Sequence, residues 1–174
     1  MRLFKYFFLA VFFVSGMPLS ASAADCDDAG KIYRVCRDQQ GLYKEAAEKA
    51  VAEKKLLLVV FGADWCPWCR SLNTMLSTPE LREKMAPGTE LVEIGLFQDQ
   101  EKLPSGEAVL EQVAGYSKGK VNRKGIPLMA VVNTEKKKAV FINTAALEKN
   151  TKVSKGHDPE KISAAIKKAA AQVK

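Results

Sequence analysis

The sequence predicts an α/β domain, and three observations point to it. A wholly apolar run, Leu56-Leu57-Leu58-Val59-Val60-Phe61, stops at Gly62 and reads as a strand buried on both faces. Segments with helical spacing and clear start signals lie on either side of that run. Two further apolar stretches, Leu128 to Asn133 and Ala139 to Asn143, are joined by Thr134-Glu135-Lys136-Lys137-Lys138 and read as paired strands.

The elements follow in order. Residues 24 to 38 are polar with turn character. Asp38 is a helix cap for a segment from about Leu42 to Lys54, whose inward face is Leu42, Ala46, Ala50 and Val51. The strand Leu56 to Phe61 follows, then a helix from Cys66 to about Leu76 with Leu72, Met75 and Leu76 facing inward. Pro79 suits the first turn of a short second helix. Pro87-Gly88 is a turn, Thr89 to Phe97 alternates as a strand, and Gly106 to Tyr116 is helical. A basic loop, Lys118 to Gly125, carries Lys118, Lys120, Arg123 and Lys124 into the first of the paired strands. Asp158-Pro159-Glu160 opens a final helix through Val173.

The chain has 174 residues, enough for one domain with a sizeable core. Its opening, Met1-Arg2-Leu3-Phe4-Lys5, is basic, and an apolar run from Tyr6 to Val14 precedes small residues at Ala21-Ser22-Ala23. That pattern reads as a secretory signal peptide over residues 1–23, since a membrane span needs about 18 or more apolar residues. Residues 24–41 form an N-terminal extension, and residues 42–174 form the domain. The formal charge of +7 falls to about +5 without Arg2 and Lys5. The charges are interspersed and no aromatics interleave a basic stripe, which argues against a nucleic-acid role. All four cysteines, Cys26, Cys36, Cys66 and Cys69, lie beyond the signal peptide, and in an oxidising compartment an even count permits two disulfides.

The chemistry concentrates in Trp65-Cys66-Pro67-Trp68-Cys69, at a strand-to-helix junction. A helix N-terminus carries unpaired amides and partial positive charge, so a thiol there ionises more easily. Cys66, at the helix start and expected to be the more exposed thiol, is the nucleophile. Cys69, one turn in on the same face, resolves the mixed disulfide. Pro67 sits where no backbone donor is needed. Trp65 and Trp68 flank the site with flat apolar surface for a peptide. Zinc lacks a second ligand pair, because Cys26 and Cys36 are spaced differently and His157 reads as a solvated loop residue. Haem attachment needs a histidine where Arg70 stands. No metal and no cofactor are called for.

With Gly125-Ile126-Pro127 placed far downstream before another strand, the motif resembles those of thioredoxin-fold proteins, and the chain is most similar to exported thioredoxin-like proteins. The resemblance runs from about residue 40 to 174. It implies a thioredoxin-like fold, a central mixed sheet flanked by helices, here with an N-terminal extension. It also implies a cis Ile126–Pro127 bond and docking of an extended substrate segment on the Ile126 backbone beside Cys66.

The chain also departs from the family. The buried acid of thioredoxin falls at Val60; Asp64 is expected to be exposed, and Glu93 is the candidate substitute. The middle pair, Pro67-Trp68, is not thioredoxin's.

The expected activity is a periplasmic thiol–disulfide oxidoreductase that reduces protein disulfides through Cys66 and Cys69. A disulfide-forming oxidase or isomerase of the same fold, or a non-catalytic thioredoxin-like binding protein, are the alternatives. Cys26 and Cys36 read as a structural staple, with a second redox pair as the alternative. The expected partners are protein thiols and disulfides and a membrane-embedded redox protein that resets the dithiol. A monomer is expected.

Overall fold

The computed structural model describes residues 26–119, 121–149 and 156–174. The expected signal peptide and Lys120 lie outside them.

Helix α1, Gln39–Ala52, starts three residues earlier than its apolar spacing indicates. Asp38 is the cap, its carboxylate accepting the Gln40 and Gly41 amides. The earlier start turns Gln39, Tyr43 and Ala50 inward and leaves Val51 39 % exposed, which corrects the inward face expected for Val51. Strand β1, Leu56–Gly62, is buried along its length apart from Leu56. Helix α2, Pro67–Ser77, buries Cys69, Leu72 and Leu76, and α3, Pro79–Met85, begins at its proline.

Strand β2 spans only Thr89–Gly95. The single strand expected through Phe97 breaks at Leu96. Phe97–Gln98 (β3) instead pairs antiparallel with Glu101–Lys102 (β4) in a separate two-stranded ribbon. The break lets Leu96 accept the Leu103 amide at 2.8 Å and brings the next helix down onto the strand end. That helix is α4, Pro104–Gly115. Strands β5, Leu128–Asn133, and β6, Lys138–Ile142, form the hairpin, and α5, Pro159–Val173, closes the chain under an Asp158 cap.

The main sheet has the order β2-β1-β5-β6. β1 runs parallel to β2 and antiparallel to β5, and β5 pairs antiparallel with β6, so the sheet is mixed. Alternate β1 residues feed two cores. Leu57, Val59 and Phe61 pack with Tyr43, Ala50, Val109 and Val113 from α1 and α4. Leu58 and Val60 pack with Leu72, Leu76, Ile162 and Ile166 from α2 and α5. Burying both faces is what makes β1 apolar throughout and places its C-terminal end, with the cysteine loop, at the rim of the sheet.

The segment before α1 is part of the packed body. Cys26 and Cys36 are bonded, closing a loop over a sequence separation of 10. Asp64 Oδ1 accepts the Ile32 amide at 2.8 Å. The Gln39 side chain, fully buried, donates to the Arg34 and Arg37 carbonyls and accepts the Gly95 amide at 2.8 Å. A segment that reads as polar thus buries Tyr33 completely.

Candidate active site

Cys66 is the N-cap of α2. Its sulfur accepts the Cys69 amide at 3.2 Å, as a side chain in that position satisfies a first-turn donor. Both cysteines are free thiols. Exposure does not distinguish them as the sequence led one to expect: Cys66 is 3 % exposed and Cys69 is fully buried. The loop after β1 folds Cys66 under the Ile126 segment, whose carbonyl oxygen accepts from its thiol at 3.6 Å.

Electrostatics separates the two thiols instead. Cys66 is lowered to about 7, chiefly by its hydrogen bond with Cys69 and against the upward push of burial. The Cys69 and Trp68 amides and the Arg70 charge help to lower it. Cys69 is driven far up by that same bond and by burial. The two thiols are thus shifted in opposite directions, Cys66 toward the thiolate and Cys69 toward the thiol, the pairing that a two-step exchange needs.

Trp65 is 47 % exposed and meets Phe97 edge-on with ring centroids 5.7 Å apart. Together with Leu96, Leu110, Arg123 and Ile126 they line a groove of about 310 Å³ running from the motif. The Ile126–Pro127 bond is cis, and Pro127 is buried with its carbonyl accepting from Thr144 Oγ1. Ile126 and Pro127 are thereby fixed directly beside Cys66, and Pro67 and Trp68 complete the surface around it.

Other residues sit differently from their sequence reading. His157 is buried, not solvated; its ring stands edge-on to Trp68 at 5.7 Å, because the turn into α5 packs against the motif. Burial lowers its pKa. Asp64 is half-buried rather than exposed, because it holds the Ile32 amide, and its backbone carbonyl accepts from Arg70 Nη1 at 2.7 Å. Arg123 is paired with Glu111, which removes part of the charge from the basic loop. Val60 and Glu93 are register partners in β1 and β2. Glu93 is half-buried, accepts from Asn73 Nδ2 at 2.6 Å, and has its carboxyl pushed up by burial.

Tyr33 is the residue that sequence reasoning missed. It lies within the stapled loop and packs with Cys66 and Cys69, yet no periodic pattern marks it. The available signal was an Ile-Tyr pair enclosed by two cysteines in a polar stretch.

A family model described as thioredoxin-like matches residues 38–134. Among solved structures, the chain is similar to one described as a disulphide isomerase from Xylella fastidiosa Temecula1. The identity is 25 %, the match covers 77 % of this chain and 92 % of that one, and the TM-score is 0.54. No curated protein sequence matches the chain significantly.

Proposed function

Because the chain belongs to the thioredoxin-like family, we propose that it is a thiol–disulfide oxidoreductase that reduces protein disulfides in the periplasm. The observation that carries this reading is the unequal thiol pair: Cys66 lowered to about 7 at a helix start, with Cys69 protonated one turn away. Cys66 thiolate attacks a substrate disulfide, the mixed disulfide forms, and Cys69 displaces the product. The Ile126 backbone and the Trp65–Phe97 groove receive the substrate segment. The N-terminal basic and apolar pattern, together with the Cys26–Cys36 bond, supports an oxidising compartment. A membrane-embedded partner resets the dithiol, and the protein acts as a monomer. Residues 1–23 are the removed signal peptide, 24–41 the extension and 42–174 the catalytic domain.

An isomerase is the second reading, favoured by the description of the similar solved structure. Insulin reduction by the protein with dithiothreitol, compared with Cys66→Ser, tests the activity; equal rates reject it. The equilibrium potential of Cys66–Cys69 tests the direction. A value near about −270 mV supports the reductase, and one near about −120 mV means that the protein forms disulfides instead.

A further inference from the structure

Tyr33 is fully buried, and its hydroxyl makes no well-formed hydrogen bond among the described residues. An unpartnered buried hydroxyl is destabilising, and a phenylalanine would fill the same space without that penalty. Its position gives the hydroxyl a use. A Cβ placed on Gly62 would stand 2.2 Å from Tyr33 Oη and 2.9 Å from Cys69 Sγ. The two atoms therefore converge over the same bare patch of β1, behind the thiol that must act second.

That thiol has a chemical problem. Cys69 is fully buried, is held protonated by its bond to the Cys66 sulfur and by burial, and must nevertheless become a thiolate to resolve the mixed disulfide. Once Cys66 is tied to substrate, charge on Cys69 is stabilised by the Ala63 backbone, and a side-chain donor would add to it.

We propose that the Tyr33 hydroxyl donates a hydrogen bond to Cys69 Sγ as that sulfur ionises, and so controls the rate of the resolving step. The inference rests on the oxidoreductase reading and adds a residue to it. Tyr33 acts as a donor and not as a base, because burial first, and then negative charge on Cys69 and Glu93, keeps it protonated. The Ala63 backbone, and after it the Tyr33 hydroxyl, oppose the upward push on Cys69. The groups that face it are Cys66 at the cap of α2, Cys69 in α2 and Glu93 in β2, with Asp64 accepting its backbone amide at 3.5 Å.

The step balances without a further reagent. Cys66 thiolate bonds one substrate sulfur and expels the other as a thiolate, which takes up the proton that Cys69 releases. Cys69 thiolate then bonds Cys66 Sγ and breaks the Cys66–substrate bond, and the second substrate sulfur leaves as a thiolate. Two electrons pass from the dithiol to the substrate, and Tyr33 ends with its own proton.

Dithiobis(nitrobenzoate) separates the steps, because one thionitrobenzoate leaves when Cys66 attacks and a second when Cys69 resolves. Stopped-flow traces of the reduced wild type, Tyr33→Phe and Tyr43→Phe, taken across pH, form the test. Tyr43 is a second buried tyrosine whose hydroxyl has no hydrogen-bond partner among the described residues, packed in the core with Leu57, Val59 and Phe61. Tyr33→Phe should leave the first phase unchanged, slow the second roughly tenfold and shift its pH midpoint upward. Tyr43→Phe should alter neither phase. An unchanged second phase in Tyr33→Phe, or equal slowing in both variants, overturns the proposal. A wild type that releases no second equivalent removes the oxidoreductase reading, and this inference with it. If Tyr33→Phe does not fold, 3-fluorotyrosine at position 33, a stronger donor of nearly the same shape, should speed the second phase; an unchanged rate overturns the proposal.

Discussion

Asp64 Oδ1 accepts the Ile32 amide at 2.8 Å, so the loop that presents the cysteines also holds the stapled segment before α1. Tyr33 follows Ile32 directly and lies against Cys69. The thiol pair, the stapled segment and the strand end at Gly62 therefore meet in one set of contacts.

Iodoacetamide should modify Cys66 before Cys69 in the reduced protein, with a rate midpoint near pH 7. Cys69→Ala removes the largest influence lowering Cys66, so its midpoint should rise toward that of an ordinary thiol, about 8.5. Mass mapping and pH-dependent alkylation rates check both points. Preferential alkylation of Cys69 would reverse the assignment.

The reduced protein should be less stable at about pH 6 than at about pH 8, relative to reduced Cys66→Ser. Cys66 is an acid whose folded value, about 7, lies below its unfolded value of about 8.5. Its contribution is complete above the unfolded value and is lost as pH falls through about 7. Cys69, shifted upward, acts with the opposite sign only at higher pH, where an unfolded thiol ionises. Thermal melts at the two pH values give the difference, and no difference would contradict the lowered Cys66.

Gly62→Ala should destabilise the fold by about 1–3 kcal/mol, since the new methyl meets Tyr33 Oη and Cys69 Sγ. Gly106→Ala should cost as much or more. Its Cβ would stand 1.8 Å from the Gly95 carbonyl oxygen, backbone that has no rotamer to change. Gly115→Ala, with open space around it in the last turn of α4, should be neutral or stabilising. Denaturant melts rank the three, and a neutral Gly106→Ala would count against the packing of α4 on β2.

Replacing Cys26 and Cys36 together with alanine should cost about 2–3 kcal/mol. Proteolysis should then cut first between residues 26 and 38. Non-reducing peptide maps of the wild type should join Cys26 to Cys36; Cys26 joined to Cys66 or Cys69 would indicate an electron relay in place of a staple.

Trp65→Ala should raise KM for a peptide disulfide several-fold while leaving the alkylation profile of Cys66 unchanged, because Trp65 lines the groove without touching the thiol's hydrogen bonds. A shifted profile with unchanged KM would assign Trp65 to the chemistry instead.

The parts legible from sequence are those set by local rules. A six-residue apolar run gave β1, proline and aspartate gave the starts of α3 and α5, and the cysteine spacing gave the start of α2. What escaped depends on contacts distant in the chain. Tyr33 is buried because a disulfide, Asp64 and Gln39 draw its loop onto the ends of β1 and β2. His157 is buried because the turn before α5 closes on Trp68. Phe97 leaves β2 because Leu96 pairs with Leu103 across the ribbon. None of these closures leaves a periodic trace in the residues it moves.

The Cys26–Cys36 bond has a consequence for the history of each molecule. A newly made chain has four thiols, and the loop that carries Tyr33 is then held by the Asp64 and Gln39 hydrogen bonds without the staple. If Tyr33 aids the resolving step as proposed, its full effect follows an oxidation elsewhere in the same protein, at Cys26 and Cys36. On the proposed activity, a chain still carrying four thiols would attack through Cys66 and resolve more slowly through Cys69, so mixed disulfides would outlast those of the stapled protein.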